Sequence, residues 1–427
     1  MNVLGYIAFC LLLFAQWELE GEDWPRWRGS QGNGTWSGPD LSRTLPSDGL
    51  NLKWKLPISS GYSGVTASNG LAYLMDKPSI RELGEQERVL CVDIETGKLV
   101  WEYKYFVEYK NLDYGKGPRS SLTIEKDKVY GLGAMGHAFC LDSKSGKKVW
   151  FRNLLDDENC TRPIWGFSAS PEPYGNLILY HIGSSSGSII ALDPEEGRTI
   201  WRTGSDQGPG YAPPLPIAHK GNKLIICWGP NKIMGLPISG GPEHWNFPYK
   251  VKYGVSIAKP IFEESIILVC GYWNGSRAIK LGDSIDEVNL LWSEEEKIRG
   301  LMAQPLYREG VVYLLDRSNG LTAFLLKSGK ILWRDNHQLT AAGRNPHASL
   351  VWVQPNGHDA LALNAEGELV FLSLNADGYK EYWREQVIGK TWAHPAYSGN
   401  LVLVRDDRSI LCWELPVESK KVFNSPY

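Results

Sequence analysis

The sequence predicts an all-β chain: eight blades of four antiparallel strands set around one axis as a β-propeller. Three observations predict it. The first is composition: 427 residues carry 18 Trp, 45 Gly and 25 Pro, and aromatics set among turn formers mark short strands and tight hairpins. The second is a repeat. CVDIETGKLVW (91–101), CLDSKSGKKVW (140–150) and ALDPEEGRTIW (191–201) each place a small residue two before Asp, Gly four after it and Trp eight after it. The third is that the repeat is split at its ends. NLKWKLP (51–57) supplies a Trp-bearing strand with no first half, and RSILCWEL (408–415) supplies a first half with no Trp-bearing strand after it.

Each motif reads as a hairpin. The small residue and Asp end one strand, a Gly-containing turn reverses the chain, and Trp sits on the returning strand. Looser copies keep Gly241 and Trp245, or Ala323, Gly329 and Trp333 with Leu325 in place of Asp, or Trp383 alone; a lengthened turn ends at Trp292. The eight Trp at 54, 101, 150, 201, 245, 292, 333 and 383 lie 41 to 51 residues apart. That is room for four strands of about 5–6 residues with their turns. In the second period the strands are expected at 119–124, 128–133, 137–142 and 147–152, and no stretch carries a helical period. A blade covers neither of its own faces, so the ring must close, and pairing 51–56 into the blade of 392–413 closes it.

At the N-terminus, 13 apolar residues (3–15) precede the acidic WELEGED. A membrane span needs about 20, so the run has the length of a secretory h-region. Residues 1–21 are therefore expected to be a signal peptide, 22–50 a Trp-rich lead-in packed on the propeller, 51–415 the propeller and 416–427 a tail. The mature chain is expected to be exported, periplasmic or extracellular, monomeric and without a transmembrane segment. Cys10 follows the bulky Phe9 and is not read as a lipid-anchor site. Net charge is −3, so no global field recruits nucleic acid. Cys91, Cys140, Cys227, Cys270 and Cys412 sit in apolar strands, and Cys160 in a loop; no C-x-x-C occurs, and the spacing demands no disulfide.

The A-x-D-x-x-T-G-x-x-x-W pattern resembles the tryptophan-docking motif of the eight-bladed quinoprotein-type propellers, a group of PQQ-dependent alcohol dehydrogenases and BamB-like exported proteins. The lead-in DWPRWRGSQGNG (23–34) resembles the start of exported PQQ-like repeat proteins. The resemblance implies that Trp54, Trp101, Trp150, Trp201, Trp245, Trp292, Trp333 and Trp383 pack between blades. The dehydrogenases of the group hold PQQ in the central funnel beside Ca²⁺, with an Asp base and a disulfide between adjacent cysteines. This chain has no Cys-Cys pair and is much shorter. The reading drawn is a non-catalytic binding or scaffold propeller with no cofactor, holding a protein partner in the cell envelope. The alternatives are a PQQ- and Ca²⁺-dependent alcohol or sugar oxidoreductase with a reduced site, and a glycan-binding module; a small anionic ligand is also compatible.

No catalytic residue or metal-ligand set follows from spacing. GLGAMG (131–136) fits a dinucleotide fingerprint and GSSSG (183–187) a nucleophile elbow, but both join strand to strand where those motifs need a following helix. The candidate ligand-binding residues stand instead at the blade starts, which ring one mouth of the channel: Tyr62, Arg119, Trp165, Tyr211, Tyr253, Arg299, Arg344, His347, Trp392 and His394. Aromatic faces beside Arg suit an extended peptide, a glycan or a planar anion.

Overall fold

A computed structural model describes residues 21–78, 84–184, 186–300 and 302–418. The apolar run at 3–15, the tail from 419 and residues 79–83 lie outside the described residues. The described residues form eight separate four-stranded antiparallel sheets, the expected β-propeller. The first blade runs outward as Thr66–Ser68, Leu71–Asp76, Gln86–Asp93 and Leu99–Phe106. The second has Thr123–Glu125, Lys128–Leu132, His137–Asp142 and Lys148–Asn153, so its innermost strand is shorter than the spacing suggested. One regular α turn occurs, Leu154–Asp157, capped by the Asn153 side chain, which accepts from the Leu155 amide. It has too few residues to leave a periodic signal.

The last blade takes three strands from the C-terminal end, Ala396–Ser398, Leu401–Arg405 and Ser409–Glu414, and its outermost from Asn51–Pro57. Asn51 pairs with Glu414 and Pro57 with Ser409, so the ring closes as expected.

The repeat motif has a direct structural cause. The small residue and Trp are cross-strand partners: Cys91 faces Trp101, Cys140 faces Trp150, Ala191 faces Trp201, Ala278 faces Trp292 and Ala323 faces Trp333. Immediately beyond each pair the register slips by one residue, a β-bulge that adds local twist. The Asp folds the turn. Asp93 Oδ1 accepts from the Thr96 amide and hydroxyl, and Asp142 Oδ1 accepts from the same groups of Ser145.

The indoles bridge blades. Trp54 Nε1 donates to Ile94 O at 2.6 Å, Trp101 to Ser143 O at 2.9 Å and Trp150 to Pro194 O at 3.0 Å. Trp292 and Trp333 donate to Leu326 O and Asn375 O of the next blade, whereas Trp383 donates to Ser42 O of the lead-in. Each of the first three indoles lies on the turn glycine of the next blade, Gly97, Gly146 and Gly197, all at positive φ. Trp201 packs over Gly240 rather than Gly241, and the Nε1 of Trp245 has no partner. The turn facing Trp245 is the lengthened one before Trp292.

The lead-in spans the opposite end of the ring from the blade starts. Trp24 O accepts from the Ala67 amide and Pro25 O from the Ile124 amide, while Trp36 N donates to Trp352 O. Trp36 is fully buried and stacked on Tyr397 at 4.8 Å.

The inter-blade contact makes a graded prediction for three Gly→Ala variants, checked by urea denaturation. Gly378 has ordinary φ and open space, so Gly378→Ala is neutral or stabilises by up to about 1 kcal/mol. Gly70 has φ +75° and open space, so Gly70→Ala costs about 1–2 kcal/mol from backbone strain alone. Gly197 has φ +71° and its Cβ would stand 2.5 Å from the Trp150 ring, so Gly197→Ala costs about 1–3 kcal/mol more than Gly70→Ala. Equal losses at Gly70 and Gly197 would mean that the indole contact adds nothing.

Candidate binding site at the channel mouth

The innermost strands stand around the axis, and the segment leading into each arrives at one end of the ring. Side chains from these segments converge on a cavity of about 490 Å³. Of the ten expected residues, Tyr62, Arg119, Trp165, Tyr211, Arg344, His347, Trp392 and His394 line it. Tyr253 and Arg299 do not. Tyr253 sits in the 3-10 turn Lys252–Gly254 at φ 59°, which turns its ring outward to 60% exposure against Trp273. Arg299 is held by its backbone, whose amide donates to Asp316 Oδ2 at 2.6 Å and whose carbonyl accepts from the Arg317 amide. Sequence reasoning missed Trp27, Tyr114, Tyr272, Trp273, Met302 and Gln304, which also line the cavity. Trp27 comes from the lead-in, Tyr114 from the connection between the first two blades, and Tyr272 and Trp273 from a hairpin tip.

The walls are aromatic. Tyr114 stacks on Trp392 with centroids 5.7 Å apart and planes 10° from parallel, and Tyr62 leans on Tyr114 at 5.8 Å. Across the cavity Trp165 packs on Tyr211 at 5.8 Å. Arg119 lies over the Tyr62 ring at 5.1 Å, and its terminal nitrogens donate to the carbonyls of Gly117 and Gly115. Burial pushes its guanidinium below the ordinary value. Among the described residues lining the cavity, none is Asp or Glu. A nearby carboxylate, Glu87, is fully buried behind the wall, where it accepts from the Tyr105 and Tyr109 hydroxyls and the Ala134 amide.

The floor is polar. His347 is 3% exposed, and its ring nitrogens make no hydrogen bond of full geometry, only a weaker contact with the Trp392 backbone. His394 lies 5.7 Å from it, edge to face, with Nδ1 2.7 Å from Ser349 Oγ and Trp27 on its other side at 5.6 Å. Gln304 Oε1 accepts from the Lys259 amide at 2.7 Å, which leaves its NH₂ with a long 3.5 Å contact to Met302 O. Below these, Arg28 of the lead-in donates to Asn33 O and Pro305 O but pairs with no carboxylate among the described residues. Burial lowers its pKa to about 9, so it stays charged at neutral pH. Its neighbours Arg26 and Lys259 share one carboxylate, Glu172, at 2.8 and 3.1 Å.

Burial holds both histidines neutral: His347 is lowered to about 4, and His394 falls well below its ordinary value, with His347 and Arg28 adding to the effect. The Cys227–His181 pair, 3.5 Å apart in the core, is not a nucleophile and base. Burial drives the Cys227 thiol well above its usual range, and His181 is occupied by Ala212 O and the Gly210 amide. GLGAMG and GSSSG are hairpin connections, as expected. Among the described residues no cysteine is paired, no cluster of three His, Cys, Asp or Glu could hold a metal ion, and no helix is long and apolar enough to cross a membrane.

Fold and cavity together define an eight-bladed propeller with a channel plugged at one end and an aromatic mouth at the other. The sequence profile of the family described as outer membrane protein assembly factor BamB matches residues 85–335 and again 185–416, and the chain belongs to that family. It is 22% identical over 252 residues to the outer membrane protein assembly factor BamB of Yersinia pestis, an alignment covering 55% of this chain and 58% of that one. The structure of BamB from Moraxella catarrhalis superposes with a TM-score of 0.57 at 16% identity, over 87% of this chain and 99% of that one. Quinohemoprotein alcohol dehydrogenase from Comamonas testosteroni superposes with a TM-score of 0.65 at 13% identity, over 95% and 82%. Likenesses at these identities establish the fold.

The neutral floor makes stability depend on pH. The unfolded chain takes up a proton on His347 near pH 6.5 and the folded chain near 4, so folding stability is full above about 6.5 and falls as pH drops toward 4. One such group is worth up to about 3 kcal/mol over that window. His347→Phe removes it, and urea denaturation at pH 7 and pH 5 is expected to show a smaller loss than in the parent chain. An unchanged loss would place the titration elsewhere.

Proposed function

We propose that this chain is an exported, non-catalytic binding propeller that holds a protein partner in the cell envelope through the loops around its channel mouth. The observation that carries this reading is the composition of the cavity: aromatic walls, two arginines and no lining carboxylate. A reaction of the dehydrogenase type needs a carboxylate base and hard oxygen ligands for its cation. The lining does not fit the Ca²⁺ of such a site, since it offers no carboxylate oxygen and sets Arg119 and Arg344 against a divalent cation. Aromatic rings beside arginine are the residue types that carry binding energy at protein interfaces. Membership in a family described as an assembly factor supports the same reading.

Two measurements test it. Calorimetric titration with PQQ, with and without Ca²⁺, is expected to give no saturable heat; one-site binding strengthened by Ca²⁺ would replace this reading with an oxidoreductase. In cells, a photo-cross-linking residue at Tyr114, on the rim, is expected to give one discrete protein adduct. The same residue at Leu290, exposed on an outer strand, is expected to give none. Equal labelling at both positions would remove the mouth from any partner interface.

A further inference from the structure

We propose that the plugged channel captures the free C-terminal carboxylate of an extended peptide, a reading that rests on the binding function above and names its ligand. The first argument is shape. The lead-in closes the far end through Trp24 O on the Ala67 amide, Pro25 O on the Ile124 amide and Arg28 on Pro305 O. A channel with one opening takes a chain end and does not let a segment thread through it. Its volume of about 490 Å³ is that of a site for a small molecule or a few residues.

The second argument is charge. A chain end is either an ammonium or a carboxylate. The ammonium would face Arg119 and Arg344 at the mouth and Arg28 under the floor, with no lining carboxylate to receive it. The carboxylate is attracted by Arg119 and Arg344, which line the cavity, and by Arg28 beneath it, none of them in an ion pair among the described residues. Arg119 spends its terminal nitrogens on the carbonyls of Gly115 and Gly117, which fixes its position and leaves its charge unneutralised.

The third argument is the set of unused donors at the floor. His347 is 97% buried and neither nitrogen makes a hydrogen bond of full geometry, with only a weaker contact to the Trp392 backbone, so its one N–H is open to an arriving acceptor. The Gln304 amide has its oxygen fixed by the Lys259 amide, so the group left to face the cavity is the NH₂ donor. Between floor and rim the walls offer rings: Tyr114 stacked on Trp392 to one side and Trp165 on Tyr211 to the other. The residues before the terminal carboxylate are therefore apolar or aromatic and contribute by burial, while the carboxylate sets direction.

The experiment uses immobilised protein and a randomised pool of N-acetylated pentapeptides with free carboxyl ends, against the same pool amidated. Mass spectrometry of the retained peptides is expected to show enrichment of free-acid peptides ending in apolar residues. The amide of the best peptide should bind at least about tenfold more weakly by calorimetry. Phenylacetate, as a small aromatic acid, is expected to bind weakly. Arg344→Gln and His347→Phe should each weaken the best peptide several-fold. His347→Phe should leave the melting temperature unchanged or raised, because it removes unpaired polar atoms while keeping a ring. Equal retention of both pools, or of neither, would overturn the proposal, and phenylacetate matching the best peptide would make the cavity a small-anion site. Failure of both pools with the Tyr114 adduct retained would sink this inference alone; Ca²⁺-strengthened PQQ binding would sink the reading beneath it.

Discussion

Ring closure is the constraint on which the rest of this molecule depends. A four-stranded blade has two apolar faces and can cover neither, so each is stable only between two neighbours. The middle strands show the consequence: Ile266–Gly271 is buried at every residue, while the outer strand Leu99–Phe106 alternates. The first and last blades have neighbours because Asn51–Pro57 crosses the gap and pairs with Ser409–Glu414. The side chains repeat the same rule at finer scale, since the indoles of Trp54, Trp101, Trp150, Trp292 and Trp333 each hydrogen-bond to the next blade.

A closed ring concentrates eight chain segments on one axis, and this explains why unfavourable groups can persist there. Arg28, Lys259 and His347 are all buried, and burial opposes charge on each of them. Lys259 and Arg26 are stabilised by Glu172, whereas Arg28 has carbonyls and His347 only a weak contact with the Trp392 backbone. Isolated hairpins would rearrange to hydrate such groups. Here the backbones that carry them are fixed by eight sheets and by the lead-in, so the polarity of the floor is imposed by the scaffold.

The propeller was legible because its organising contact is local in sequence. Small residue, Asp, Gly and Trp lie within one hairpin, and their spacing encodes a cross-strand pair, an Asx turn and a bulge, so three copies sufficed to reveal the period. The blade starts were legible for the same reason, and eight of them place residues such as Trp165 and His394 on the cavity. What escaped was non-local. Trp27 reaches the floor from the lead-in, far along the chain from the blade it touches, and Trp273 arrives from a hairpin tip. Tyr253 and Arg299 failed for a different reason: a positive φ turns one outward, and Asp316 fixes the other's backbone.

The same geometry separates what this fold shares with enzymes from what this chain does with it. Propellers that superpose on it include a quinohemoprotein alcohol dehydrogenase, so the fold by itself does not decide function. Chemistry depends on which side chains the blade starts deliver. Here they deliver rings, guanidinium groups and imidazoles that burial keeps neutral, with the Glu87 carboxylate sequestered behind Tyr105 and Tyr109. Among the described residues that line the cavity there is no Asp or Glu, so the site offers no carboxylate oxygen to a hard cation. On the proposed reading, the hydrogen-bonding groups at the bottom and the apolar faces above them would let the site tell one end of a ligand from the other.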